Sequence, residues 1–269
     1  MTILIERRLG TAPFWMPVER GWVEPRQEVR VVAAPTPAEL RAHDGVMLVD
    51  TLLGSTVLDS SLILTDHTVA ADTISLLTMV TADRPDAVDE AAVAAHGVSL
   101  TGRAVAEIVI PEFYGITISE WRDEPAEAGP QVVLVTEDER ALLPTGTESD
   151  YHEDLGRAWF LMTETPFVSH VCLVPEALYR SDPDSVRAAV DDLHAMRRAA
   201  DDQRRLLRRN IARDHDIDRD LVVDVFDGLH FELSDAGIDG LRTLFGQTGV
   251  LRRTGPIDGR FVAMAGDNS

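Results

Sequence analysis

Gly45-Val46-Met47-Leu48-Val49 runs apolar without alternation and stops at Asp50-Thr51. A strand with one wet face alternates polar and apolar side chains, whereas a strand covered on both faces does not. This pentapeptide is therefore expected inside a largely parallel sheet flanked by helices. Working outward, Ile3-Leu4-Ile5 and residues 29–34 read as two more buried strands. Between them, Thr11-Ala12-Pro13 opens a helix, with Thr11 as N-cap and Pro13 in the first turn. Thr36-Pro37-Ala38-Glu39-Leu40 has the cap, proline and acidic first turn of another. The order strand, helix, strand, helix, strand predicts an α/β fold.

Residues 73–82 carry no charge and are rich in Leu, Ile, Thr and Val, so a longer strand is expected there. Residues 86–95 read as helix, 98–100 as a short strand ending at Thr101-Gly102-Arg103, and 104–113 as helix. Residues 131–135 read as strand, 154–162 as helix and 165–175 as a core strand. Asp182-Pro183-Asp184 starts a helix whose Val186, Val190, Leu193 and Met196 share one face. Ser234 starts a last helix, and the tail after Pro256 is expected to be loosely held. Strands near 3–5, 29–34, 45–49, 73–82 and 165–175 are expected to share one sheet. Residues 83–160 have strands and helices of their own. This predicts a domain inserted in another: 1–82 with 161–269 as the first lobe, and 83–160 as the second. A cleft between such lobes is a common small-molecule site.

Composition narrows the function. The chain has 269 residues and a formal net charge of −21, from 25 basic residues, all arginine, and 46 acids. Without lysine there is no Schiff-base lysine and no P-loop lysine. An acidic chain is poorly suited to nucleic acid or to an anionic membrane surface. Cys172 is the single cysteine, which excludes an intrachain disulfide and a multi-cysteine metal site. No charge-free apolar run has the length of a membrane span, and residues 1–10 do not read as a signal peptide. A cytoplasmic protein, monomer or homodimer, is expected. No metal-ligand spacing and no dinucleotide fingerprint occur, so neither metal nor cofactor is expected.

Candidate binding groups sit at strand ends and helix starts, where free N–H groups favour a carboxylate. They are Gly10 and Thr11, Thr101 and Gly102, Asp50 at the end of the third strand, and Asp138 beyond residues 131–135. Each also has an ordinary reading, as a helix cap or a solvated loop. Arg103 is one of five arginines among residues 31–150, which hold 21 acids, and either clamps a carboxylate or makes a surface ion pair. His170 and Cys172 point to one face of a strand and read as core residues, because that spacing is too long for a nucleophilic pair. His96-Gly97-Val98-Ser99-Leu100-Thr101 lacks the final glycine of a hydrolase elbow.

Asp154-Leu155-Gly156-Arg157-Ala158-Trp159 and Thr163-Glu164-Thr165-Pro166-Phe167-Val168 resemble the D-L-G-x-x-W…T-G-L-P-F-V segment of the chorismate dehydratase family of menaquinone biosynthesis. Leu229-His230-Phe231-Glu232-Leu233 and Gly240-Leu241-Arg242-Thr243-Leu244-Phe245 are similar to its C-terminal L-x-Y-x-L…G-L-x-x-F-F. The resemblance implies a periplasmic-binding-protein-like (type II) fold of two α/β lobes. It implies a lyase without metal or organic cofactor that removes water from chorismate to give 3-[(1-carboxyvinyl)oxy]benzoate. It maps the family's substrate-binding serine onto Thr73 and its S-S-R-T segment onto Leu100-Thr101-Gly102-Arg103, or onto a frame shifted by one residue. In the family's L-N-T-R-P segment, Gly10 stands for the Asn and Ala12 for the Arg. Two functions therefore stay open: a lyase acting on chorismate or a similar cyclic carboxylate, and a non-catalytic binder of a small carboxylate.

Overall fold

The computed structural model describes residues 1–129, 131–143 and 150–264. In chain order the elements are β1 (Thr2–Glu6), α1 (Ala12–Glu19), β2 (Glu28–Val32), α2 (Pro37–Ala42), β3 (Val46–Asp50), α3 (Thr51–Gly54), β4 (Ser61–Ala71), β5 (Leu77–Thr81), β6 (Glu90–Ala94), α4 (Leu100–Phe113), β7 (Thr117–Arg122) and β8 (Val132–Glu137). There follow α5 (Glu139–Leu142), β9 (Tyr151–Asp154), α6 (Leu155–Thr163), β10 (Phe167–Pro175), α7 (Glu176–Ser181), α8 (Pro183–Asp202), α9 (Arg204–His215), α10 (Arg219–Gly228), β11 (Leu229–His230), α11 (Asp235–Gln247), α12 (Val250–Thr254) and β12 (Phe261–Val262). They fall into two compact units. The first holds residues 1–70, 168–210 and 230–269, and the second 71–167 and 211–229. The expected insertion, 83–160, lies inside the second.

The first unit is built on a sheet of order β11-β4-β10-β3-β1-β2, with β12 also paired to β4. β1 runs parallel to both β2 and β3, pairing Ile3 with Val46 and Ile5 with Leu48. Ile3, Ile5 and Val46 through Val49 are completely buried, as the unbroken apolar runs require. β10 lies antiparallel to β3 and sets His170 opposite Asp50. Thr36 and Glu39 close a reciprocal capping box on α2. The face of α8 carrying Val186, Val190, Leu193 and Met196 is buried, and α8 packs on α1. The tail is partly tied: Phe261 and Val262 pair with Ile63 and Leu64, and Asp66 Oδ2 accepts from the Met264 N–H at 2.9 Å. Residues 265–269 lie outside the described residues.

The second unit has its own sheet, of order β7-β6-β8-β5-β9. Three expectations are corrected here. The strand expected over 73–82 is shorter, β5, and belongs to this sheet, where it pairs antiparallel with β8 and β9. The neighbour of β10 in the first sheet is instead β4, an 11-residue strand. Residues 86–95 are not an α-helix: after a single 3-10 turn at Pro85–Ala87 the chain enters β6, which pairs on both sides, with β7 and with β8. Alanine-rich sequence prefers helix, but strand pairing on both edges overrides that weak preference. Residues 98–100 are not a strand, because Ser99 caps α4 by accepting from the Gly102 N–H at 3.0 Å.

Candidate ligand-binding site

Each unit presents polar residues at the carboxyl ends of its parallel strands, the usual ligand position in open α/β sheets. In the first unit these ends are Glu6 on β1 and Asp50 on β3. Glu6 is only 3% exposed. Its Oε2 accepts from the Asp50 N–H at 2.8 Å and its Oε1 from Arg8 Nε at 3.2 Å. Burial, then the nearby Asp50 charge, raise its pKa to about 7, against the pull of the Asp50 N–H and Arg8. Asp50 is buried and caps α3, accepting from the Leu53 N–H at 2.8 Å.

Thr11 is fully buried and makes no side-chain cap to α1, contrary to expectation. Its hydroxyl lies 2.6 Å from the Glu6 carbonyl and 3.0 Å from that of Arg8, and accepts from the Arg8 N–H at 3.1 Å. The turn from β1 to α1 is thus held by its own threonine, with Gly10 buried in it. Trp15 Nε1 adds a bond to the Arg8 carbonyl at 3.0 Å. His170 is buried as expected. Its Nδ1 lies 3.0 Å from Ser169 Oγ, which bonds the Val69 carbonyl at 3.1 Å. A carbonyl only accepts, so that serine proton is spent and Nδ1 of the neutral ring carries the hydrogen. Nε2 has no hydrogen-bond partner among the described residues.

In the second unit, Glu137 at the end of β8 accepts from both the N–H and the hydroxyl of Ser99. Thr101 is fully buried in the first turn of α4. A Cβ on Gly102 would stand 2.9 Å from Val98 and 3.1 Å from Glu137 Oε2, so only glycine lets α4 sit this close to β8. Arg103 points to the surface, where it pairs with Asp123 at 2.6 Å and Glu107 at 3.3 Å and stacks over Trp121. Asp138 is buried at φ 58° and ψ −133°, a costly backbone for a residue with a Cβ, and its N–H bonds the Leu76 carbonyl at 2.9 Å. Thr73 is exposed in the loop between β4 and β5. The buried hydroxyl of that loop belongs to Ser75, which bonds Asp154 at 2.8 Å.

A cavity of about 350 Å³ opens at the ends of β6 and β8 in this unit. Its polar lining is His96, Glu124, Thr136 and Arg140, none of which the sequence singled out as a binding group. Thr136 is within β8, and His96, Glu124 and Arg140 stand just past the ends of β6, β7 and β8, in no motif that marks a binding site. The signal that could have found them was positional: His96 follows β6 by two residues and Arg140 follows β8 by three. Among the described residues, no group of three His, Cys, Asp or Glu side chains is arranged to hold a metal ion. No described helix is long and apolar enough to cross a membrane.

The architecture has known counterparts. AF1704 from Archaeoglobus fulgidus superposes with a TM-score of 0.64 at 11% identity, covering 94% of this chain and 98% of its own. The periplasmic aliphatic sulphonate binding protein SsuA from Escherichia coli gives 0.66 at 12% identity, over 97% and 96%. The Candida albicans CA3427 gene product, described as having the generic periplasmic binding protein structural fold, gives 0.58 at 10%, over 97% and 95%. At these identities the likeness is one of fold, and the fold is the two-lobed, type II periplasmic-binding-protein-like α/β class. No curated protein sequence matches the chain. The family model described as menaquinone biosynthesis matches residues 46–249, which contain both segments that resemble the chorismate dehydratases, and the chain belongs to that family.

Proposed function

We propose that this chain is a carbon–oxygen lyase of menaquinone biosynthesis that dehydrates chorismate, or a closely similar cyclic carboxylate, in the cytoplasm. The observation that carries the reading is the family match over residues 46–249. Loss of water from chorismate removes one ring hydrogen and the ring hydroxyl and leaves an aromatic ring. Aromatisation supplies much of the driving force, so the protein's main task is to hold ring and carboxylates in a reactive pose. The binding groups in this reading are the buried Gly10–Thr11 turn and Asp50 in one unit. In the other they are the start of α4 at Thr101 and Gly102, with the strained Asp138. Thr73 can reach a ligand only through its exposed loop. Arg103 is already engaged by Asp123 and Glu107, so Arg103→Ala is expected to change chorismate affinity by less than about threefold.

A second reading, a binder of a small carboxylate without turnover, is favoured by Gly10 standing where the family carries an Asn. Purified protein incubated with chorismate and followed by chromatography separates the two. Appearance of 3-[(1-carboxyvinyl)oxy]benzoate supports the lyase. Calorimetric binding without turnover selects the binder. Neither binding nor turnover with chorismate overturns chorismate as the ligand.

A further inference from the structure

We infer that the cavity at the ends of β6 and β8 is a binding site for a compact aromatic carboxylate, with Arg140 as the group that receives the carboxylate. The apolar wall comes from Ala94, Pro125, Ala126, Leu134 and Leu143, and a volume of about 350 Å³ lies in the range that holds small organic molecules. The polar end is what points to an anion. In this strongly acidic chain, Arg84, Arg103, Arg122 and Arg213 of the same unit are each paired with carboxylates, and Arg157 and Arg219, which have no ion pair among the described residues, do not line the cavity. Arg140 has no carboxylate partner among the described residues. Its Nη1 bonds the His96 carbonyl at 3.4 Å, which holds the guanidinium at the cavity while leaving donors to spare.

Thr136 is the second, independent observation. It is 8% exposed and lines the cavity, and its hydroxyl has no hydrogen-bond partner among the described residues. Strand alternation puts it on the same face of β8 as Leu134, opposite the face from which Glu137 reaches Ser99. A buried hydroxyl without a partner is costly, and a carboxylate oxygen would satisfy it. His96 is oriented by its Nδ1, 2.8 Å from the Asp123 carbonyl, so Nδ1 carries a hydrogen and Nε2 of the neutral ring is an acceptor, which takes a hydrogen bond from a ligand donor and not the carboxylate itself. Glu124 also lines the cavity and opposes an anion. It makes no ion pair with Arg140, so the two charges act on a ligand separately.

The site does not require the chain to dehydrate chorismate, and binding and turnover are read in separate experiments. Benzoate is titrated into the full-length protein by calorimetry, with cyclohexylmethylammonium as the cationic control. Saturable benzoate binding is expected. Arg140→Ala should weaken it by about tenfold or more, as loss of a charged hydrogen-bonding partner does. Thr136→Val should weaken it by about threefold, and Glu124→Gln should tighten it by about twofold. Ala126→Trp, in an exposed loop where folding is not at stake, should abolish it by filling the mouth. Arg103→Ala, which does not line the cavity, should leave it unchanged. Absence of benzoate binding, binding unaltered by Arg140→Ala and Ala126→Trp, or preference for the ammonium probe would each overturn the assignment. Chorismate turnover without benzoate binding would remove this site and keep the lyase; benzoate binding without turnover would do the reverse.

Discussion

Glu6 carries a proton more readily in the folded chain than in the unfolded one, because burial raises its pKa from 4.5 to about 7. Between those values the native state binds more protons than the unfolded state, so this group's contribution to stability falls as pH rises through the window and is constant above it. His67 and His170 act with the opposite sign. Burial, followed for His67 by the neighbouring His194 and for His170 by Arg8, lowers both to about 3. Their contribution is complete above 6.5 and is lost on acidification, when the unfolded chain takes up their protons. Two histidines outweigh one carboxyl, so net stability should drop as pH falls below 6.5. Glu6→Gln should gain on the natural chain by about 1–3 kcal/mol as pH rises from about 5 to 8, measured by urea unfolding at each pH; parallel curves for the two chains would contradict the assignment. Cys172, read from sequence as core, is fully buried, and burial pushes its thiol far above the ordinary range. It should resist iodoacetamide in the native state and react on unfolding, with mass spectrometry as the readout. Apolar burial of this kind was legible because it follows from residue type. The pairing of Glu6 with Asp50 N–H was not, because it joins residues 44 apart.

At the level of elements, the motif that carried the family resemblance does structural work. Asp154 caps α6 by accepting from the Arg157 N–H at 2.8 Å, and also binds Ser75 through its N–H at 2.6 Å and its hydroxyl. Gly156 lets α6 lie against that loop: a Cβ there would stand 2.5 Å from Ser75 Cβ. Trp159 of the same motif is fully buried. Gly156→Ala should therefore destabilise by about 1–3 kcal/mol, read from the denaturant midpoint, by overpacking a close contact. An unchanged midpoint would show that the loop yields freely. This explains why the sequence pointed to fold and family more readily than to chemistry. The longest strand escaped notice for a related reason. Thr65-Asp66-His67-Thr68 interrupts β4 with polar groups, yet three of the four are buried and satisfied across the fold. Asp66 takes the Met264 N–H, His67 Nε2 lies 3.3 Å from the Val190 carbonyl, and Thr68 donates to the His170 carbonyl at 2.6 Å. Those partners lie 102 or more residues away, beyond the reach of local pattern.

On the scale of the whole molecule, the alternation of strands and helices was enough to anticipate two α/β bodies. The membership of residues 211–229 in the second was not anticipated, since nothing in the local pattern distinguishes α10 from its neighbours. Gly228 shows how close that return is: a Cβ on it would stand 2.3 Å from Ile74 Cγ2. A fragment of residues 71–167 alone should therefore melt without a cooperative transition by calorimetry, and one that also carries 211–229 through a linker should regain it. A sharp transition in the shorter fragment would mean that α10 is dispensable. The chain crosses between the bodies four times, after residues 70, 167, 210 and 229. During synthesis, then, β1, β2 and β3 leave the ribosome with no β10 to cover β3 until residue 175 has emerged, and β4 gains β12 only at residue 262. At about 5–20 residues per second those apolar edges stay open for many seconds, which makes the nascent protein a natural client for chaperones and explains in advance a tendency to aggregate when it is overproduced without them.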